Sequence, residues 1–445
     1  MSDVRLATFL GDPSDGVGYI NLSGFNAGAG KDFGTALLLL RMNAPHDLKA
    51  LVLDLRGNPG GLLEAAVEVS SYLLPAHSDV VSSKGRDGLQ MVYRSVIDPI
   101  RPPDMRLAVL VNSGSASASE IVAGAIQDTD SGVIVGPSKT FGKGLVQKIV
   151  PLPYDSALKY TVAKYYTPSG RCIQAIKYNG GRLDSPSKSA GGAELSESEQ
   201  VSDEDRKVFY TSRGRAVRDG GGIEPDLTVS DLRAGPAESV LLNKGVFFDF
   251  VSDYVRTHDV LTDLKSTAAS DQLAVQESGR PFSSASTYMV LTPPKQGKIS
   301  GSLFEDFKHY VMSRVTSGAL SVDDAFSTQM NELKASLSKA GLQGAADNVE
   351  GVRGRIRESV LRDLDLHRTE ITNDIELSLL SRELPDRLLL QTNVVRDSQV
   401  KAAADLLKDK PKYLALLGED NSNVSPGLGN KDKEYRVALK SPALE

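Results

Sequence analysis

Residues 109–128, VLVNSGSASASEIVAGAIQD, decide the fold. The apolar strand Leu107–Val111 leads through a turn of small residues into a helix over Ser117–Gln127. Strand, tight turn and helix in succession is the repeating step of a layered α/β domain. The same step occurs upstream. Leu48–Leu55 is a short apolar strand of the kind covered on both faces. The turn Arg56-Gly57-Asn58-Pro59-Gly60-Gly61 follows it, and Leu62–Leu74 then carries Leu63, Ala66, Val67, Leu73 and Leu74 on an apolar side. Before these, Val17–Leu22 alternates as a strand and Asp32–Met42 is helical. Downstream, Gly132–Val135, Gly144–Leu152 and Tyr160–Tyr165 are strands, the last entering the turn Thr167-Pro168-Ser169-Gly170.

The composition changes along the chain. Asp184–Asp205 is rich in Ser, Gly, Ala and Glu and is expected to be an exposed loop. Lys207–Val229 regains strand character and is expected to return to the first domain. From about Pro236 the pattern becomes helical: Val240–Val255, with Phe247, Phe248 and Phe250 expected inside, then Phe304–Arg314, Val322–Leu337 and Val352–Leu380. In the last, Val352, Ile356, Val360, Leu364, Ile371, Ile375 and Leu379 form an apolar stripe that packs on the rest of the protein. A dimerisation surface is the alternative use of it. The expected organisation is a core over 1–230, a mainly helical region over 231–430 and a frayed tail over 431–445, with Gly418–Gly429 a loop.

Bulk numbers exclude several function classes. The net charge of −6 comes from 57 acidic and 51 basic residues, so no electrostatic signal points to nucleic acid. A single cysteine, Cys172, rules out an intramolecular disulfide framework and a cysteine zinc cage. The five histidines, His46, His77, His258, His309 and His367, are scattered without metal-ligand spacing. No metal or organic cofactor is expected. No run reaches the roughly 18 apolar residues that cross a bilayer. The first residues lack the basic and apolar regions of a signal peptide, and a targeting segment trimmed before Met1 would leave the same start.

The chemistry sits in two segments. Ser117-Ala118-Ser119-Glu120 fits the S-x-x-E capping box, which makes Ser117 the N-cap of its helix. An N-cap serine is commonly structural, contributing about 1 kcal/mol, and Ser113, Ser115 and Ser119 are nearby alternatives for that role. A serine at a strand-to-helix turn also projects its oxygen toward the positive end of the helix dipole. Small neighbours leave room for a substrate backbone, and the Ala118 N–H can donate to a developing oxyanion. A second donor is available from the glycines of the 56–61 turn, which lacks any dinucleotide or Walker pattern. In Thr140-Phe141-Gly142-Lys143-Gly144-Leu145-Val146-Gln147, Lys143 is a candidate base and Gln147 a candidate partner that orients its amine. A free lysine titrates near 10.4, so a base lysine must be desolvated or set beside other positive charge. His46 and His77 lie near prolines in connecting segments and suggest no triad.

Read jointly, Val109–Asp128, Val135–Gln147 (VGPSKTFGKGLVQ), Leu53–Leu62 (LDLRGNPGGL), Tyr165–Gln174 (YYTPSGRCIQ) and Gly220–Val229 (GGGIEPDLTV) resemble motifs of the carboxyl-terminal processing peptidases, also called tail-specific proteases. The resemblance implies a crotonase-like spiral of β-β-α units. It implies Ser117 as nucleophile, Lys143 as general base and Gln147 positioning the lysine. Ala118 and Gly60 would give the oxyanion-hole N–H groups, with Gly61 the second choice, and Asp128 a supporting role. Substrates would be proteins or peptides taken by their C-terminal tails, and the helical region could join copies of the chain. Family members are commonly periplasmic, extracytoplasmic or plastid-lumenal, while this sequence itself names no compartment.

Some features depart from the family pattern. The Ser117–Lys143 separation is one residue longer, which the loops at 129–131 or 137–139 absorb. Cys172 stands where serine is common. The family's usual PDZ domain before the core is not recognisable, with few residues ahead of Val17. The leading expectation is a serine endopeptidase. A silent peptide-binding module of the same fold is the alternative, and a crotonase-like acyl-CoA enzyme rests on fold analogy alone.

Overall fold

A computed structural model describes residues 2–86, 88–154, 156–175, 206–230, 235–257, 302–323, 326–382 and 386–418. The loop expected over 184–205 and the tail expected over 431–445 lie outside them, as does nearly all of the loop expected over 418–429. The strands are β1 (Val4–Phe9), β2 (Val17–Leu22), β3 (Ala50–Asp54), β4 (Asp79–Gly85), β5 (Gln90–Arg94), β6 (Arg106–Leu110), β7 (Val133–Gly136), β8 (Leu145–Leu152), β9 (Ser156–Tyr166), β10 (Val208–Tyr210), β11 (Ala216–Arg218) and β12 (Leu227–Thr228). A six-stranded sheet takes the order β1-β2-β3-β6-β7-β12. Its β1 is antiparallel to β2, and every later pair is parallel. A second sheet, β5-β4-β9-β8, is antiparallel throughout, and β10 pairs with β11.

Side chains alternate across a strand, so the central sheet buries two faces. Leu51, Leu53, Leu107 and Val109 pack with helices α1 (Ala29–Asn43), α2 (Leu63–Leu73) and α3 (Ala118–Asp128). Ala50, Val52, Ala108 and Leu110 pack on the opposite face. There the cover comes from the far end of the chain: α10 (Asp386–Arg396), α11 (Ser398–Lys408) and α12 (Lys410–Leu416). Val400, Ala403 and Leu407 are buried against the sheet. The Tyr413 hydroxyl accepts from the Leu107 N–H at 3.1 Å and donates to the Leu107 carbonyl at 3.2 Å. All of β3 is buried, as its unbroken apolar run demands.

Between these layers in sequence lies a helical unit with its own core: α4 (Pro236–Asn243), α5 (Val246–Thr257), α6 (Leu303–Thr316), α7 (Ser327–Lys339), α8 (Gln343–Leu366) and α9 (Arg368–Leu380). Phe307 is its centre, stacked on Phe247 at 5.0 Å and met edge-on by Phe250 at 5.1 Å. The helical region therefore serves two cores, its own and the back of the sheet.

Several expectations change. A strand, β1, precedes Val17, and the β4–β5 hairpin had no reading. The helix expected over Val240–Val255 is two helices, because the chain turns at Gly245 with φ +67°. Phe248 is exposed, on the outer side of α5 under the Arg382 guanidinium. The helix expected over Val352–Leu380 kinks at His367 (φ −106°, ψ 31°), where the Gly235 turn crosses so closely that a Cβ there would lie 2.5 Å from the imidazole. Of the stripe, Val360, Leu364, Ile371, Ile375 and Leu379 are packed inside, and Val352 is exposed.

Two predictions follow from this packing. Tyr413→Phe strands a buried Leu107 N–H and should cost about 1–3 kcal/mol in chemical denaturation. On α4, the Glu238 carboxyl is pushed up to about 7, first by burial and then by Asp374 of α9, which accepts its hydrogen bond; Glu370 adds to the shift and His367 opposes it. An acid whose pKa rises on folding stabilises the fold fully below its unfolded value near 4.5 and loses that contribution as pH climbs through about 7. The melting temperature should therefore fall between pH 5 and pH 8, and Glu238→Gln should flatten that slope.

Candidate active site

The loops after β2, β3, β6 and β7 gather at the carboxyl edge of the parallel sheet, the usual place for a site in such folds. Ser117 begins α3 there. Its φ of +56° and ψ of −109° lie outside the ordinary regions for an L-residue, a strain of about 1–3 kcal/mol that clusters at functional sites. Of the neighbouring serines, Ser113 is exposed and two are taken up structurally. Buried Ser115 donates to the Leu55 carbonyl at 2.8 Å, and buried Ser119 donates to the Asn58 carbonyl at 2.9 Å.

The glycine turn presses against Ser117. A Cβ on Gly60 would lie 2.6 Å from the Ala116 carbonyl oxygen and 2.8 Å from both the Ala118 nitrogen and the Ser117 Cβ, and its φ is +95°. Only glycine fits. Asn58 organises this turn. Its carbonyl accepts from the Ala116 N–H at 3.0 Å, its Nδ2 donates to the Leu22 carbonyl at 2.7 Å, and its Oδ1 accepts from the Gly60 N–H at 2.9 Å. The Gly60 N–H is thus engaged. The Ala118 and Gly61 N–H groups have no hydrogen-bond partner among the described residues, so the geometry favours Gly61 over Gly60 as the second donor.

Glu120 joins the two segments that the sequence singled out. Fully buried, its carboxylate accepts from the Ser117 N–H at 2.8 Å, the Thr140 hydroxyl at 2.6 Å, the Gly142 N–H at 2.7 Å and the Lys143 N–H at 2.9 Å. Burial pushes its pKa up while these four hydrogen bonds pull it down. The half-buried Lys143 is held by its backbone, and its Nζ makes no hydrogen bond or ion pair with a described residue. Gln147 lies exposed on β8 opposite Thr161, just past a bulge, and its side chain is not hydrogen-bonded to Lys143.

Asp128 closes α3 and touches neither Ser117 nor Lys143. It is paired with Arg171 at 2.7 Å, both side chains buried, and accepts from the Ser169 N–H at 3.1 Å. The stretch so anchored grips the lysine turn. Gln174 Oε1 accepts from the Gly144 N–H at 2.8 Å, and the Ala175 N–H donates to the Gly142 carbonyl at 3.0 Å. Sequence reasoning missed Arg171, Gln174 and the second role of Glu120. Their signals were the S-x-x-E box and the polar residues inside YYTPSGRCIQ. His46 and His77 are exposed, and no metal-binding cluster occurs among the described residues.

With this geometry, residues 16–180 match the model of peptidase family S41, and residues 282–407 match that of a probable PDZ-protease C-terminal helical domain. Over residues 16–180 the chain is thus similar to peptidase family S41. The carboxy-terminal-processing protease of Bartonella bacilliformis is 43% identical over 161 residues, 36% of this chain and 37% of that protein. The carboxyl-terminal-processing protease of a Synechocystis strain is 44% identical over 164 residues, 37% of either chain. The solved photosystem II D1 C-terminal processing protease shares 37% identity over 39% of this chain and 44% of its own, with a TM-score of 0.31. The matches thus span little more than a third of those two curated relatives. The S41-like region is mixed α/β and is followed by a mainly helical region, as expected.

Replacing Glu120 with Gln puts an NH2 group against hydrogen-bond donors. A loss of about 1–3 kcal/mol of stability is expected. On a peptidase reading of the site, kcat/KM in a peptide-cleavage assay should be at least about tenfold lower, because one amide oxygen cannot serve both donor pairs, Ser117 with Lys143 and Thr140 with Gly142.

Proposed function

We propose that this chain is a serine endopeptidase that cleaves protein substrates near their C-terminus through an acyl-enzyme on Ser117. The observation that carries this reading is the strained Ser117 at the head of α3. It stands beside two uncommitted N–H groups and is tied through one buried carboxylate to the lysine turn. In this scheme Ser117 Oγ attacks the scissile carbonyl and passes its proton to a neutral Lys143 Nζ. The oxyanion of the tetrahedral intermediate is stabilised by the Ala118 N–H with that of Gly61 or Gly60. Lys143 then protonates the leaving amine, and a water that it deprotonates hydrolyses the ester.

Gln147 has the reach of a β8 residue close to the lysine turn, and in this reading it takes up Lys143 Nζ once substrate excludes water. Asp128 acts at one remove, through Arg171 and the stretch that holds Gly142 and Gly144. Preference for C-terminal tails rests on the identity with the carboxyl-terminal-processing proteases.

The test is digestion of an unfolded protein by the chain and by Ser117→Ala and Lys143→Ala, with products mapped by intact mass. Both variants should lose at least about a thousandfold in rate, as nucleophile and base losses do. Cuts should cluster near the substrate's C-terminus. Wild-type rates in either variant would refute the assignment.

A further inference from the structure

Arg56 leads into the oxyanion turn, and the end of the chain holds it. Asp54 lies on the same face of β3 as Ala50 and Val52, the face that α11 and α12 cover. Its carboxylate accepts from the Tyr19 hydroxyl at 2.6 Å, from the Arg56 N–H and Nε at 3.0 Å each, and from Arg56 Nη2 at 2.7 Å. The remaining guanidinium nitrogen, Nη1, reaches the start of α11. It lies 2.8 Å from Asp397 Oδ2 and 3.0 Å from Gln399 Oε1. The other Asp397 oxygen caps α11, accepting from the Gln399 N–H at 2.9 Å and the Val400 N–H at 3.0 Å. Gln399 is buried, and the Arg56 side chain is 18% exposed, so the junction is largely shielded from water. Burial opposes the guanidinium charge, and the Asp54 and Asp397 carboxylates outweigh it.

This arrangement matters because the turn beyond Arg56 has little stiffness of its own. Three of its five residues, Gly57, Gly60 and Gly61, are glycine. Its place is set by anchors: Asn112 Oδ1 on the Gly57 N–H at 2.9 Å, the bonds of Asn58, and Arg56 at its entry. Oxyanion donors must sit within about half an ångström of their working position.

We propose that Asp397 and Gln399 are positioning residues for the oxyanion turn, acting through Arg56, so that the C-terminal helices complete the catalytic centre as well as cover the sheet. The kinetic part rests on the reading of Ala118 and Gly61 or Gly60 as oxyanion donors. Loss of the clamp leaves substrate binding in place and loosens a donor needed chiefly in the transition state, which lowers kcat more than it changes KM.

The experiment uses the full chain and Asp397→Ser, because serine keeps the helix cap but is too short to reach Arg56. Asp397→Ser with Gln399→Glu returns a carboxylate to Nη1. Lys408→Ala, at the other end of α11, removes an exposed ion pair with Asp15 and serves as the control. Two readouts are taken: kcat and KM on a peptide, and hydrogen exchange of the amides of Gly57, Asn58, Gly60 and Gly61. Asp397→Ser should lower kcat about tenfold or more with KM within about twofold, and speed exchange in the turn while leaving β3 protected. The double variant should recover both, and Lys408→Ala should match the wild type.

Wild-type kcat and exchange in Asp397→Ser would overturn the proposal. So would a loss that spreads through β3 and is not recovered by the added carboxylate, since that marks a merely structural contact. If the unaltered chain cleaves nothing, the peptidase reading fails, and exchange in the turn decides the clamp by itself.

Discussion

One buried carboxylate, that of Glu120, ties the Ser117 turn to the lysine turn. These segments follow different strands; the Phe141 N–H donates to the Ser115 carbonyl at 3.0 Å, and Glu120 gathers the remaining bonds between them. Four donors converge on Glu120, three of them backbone N–H groups. A buried carboxylate without partners costs several kcal/mol, so the fold tolerates it only where its lone pairs are filled. The need to satisfy Glu120 thus forces Ser117, Thr140, Gly142 and Lys143 into one cluster. A polar requirement inside the core sets the geometry outside it.

The same logic recurs at the edges of the site. Asn58 is fully buried and satisfies its side chain and carbonyl by binding Leu22, Gly60, Ala116 and Ser119, drawing the glycine turn against the Ser117 turn. Arg171 and Asp128 neutralise one another within the core and so fix the stretch that grips Gly142 and Gly144. Arg56 lies between Asp54 and Asp397 and ties the site to the opposite face of the sheet. Each anchor is a charged or amide side chain held by partners from distant parts of the chain. Loops rich in glycine gain their definition from such neighbours rather than from their own backbone preferences.

The sequence made visible what depends on local pattern. The apolar run of β3, the strand–turn–helix step at Ser117 and the capping box are all short-range signals, and each element stands where the pattern placed it. Long-range pairings carry no such period. Nothing local in Ser398–Lys408 says that its apolar side faces β3 and β6 rather than the helical unit, because a stripe specifies burial and not the partner. Phe248 shows the same limit: beside two buried phenylalanines it was assigned to the core, yet its position on the α5 helix turns it outward. Gly60 was legible, through the resemblance, as a candidate oxyanion donor, but the engagement of its N–H by Asn58 depends on a side-chain rotamer, which no motif encodes.

The placement of charge around Lys143 has a chemical consequence. A carboxylate paired directly with a lysine amine favours the protonated form and opposes a role as base. Glu120 approaches the lysine turn without doing so, because its hydrogen bonds go to the backbone of Gly142 and Lys143 and to Ser117 and Thr140. The amine forms no ion pair with a described residue. The carboxylate that assembles the site is therefore kept from pairing with the amine, and under the proposed role of Lys143 as base this separation of placing from pairing avoids a contact that would hold its proton.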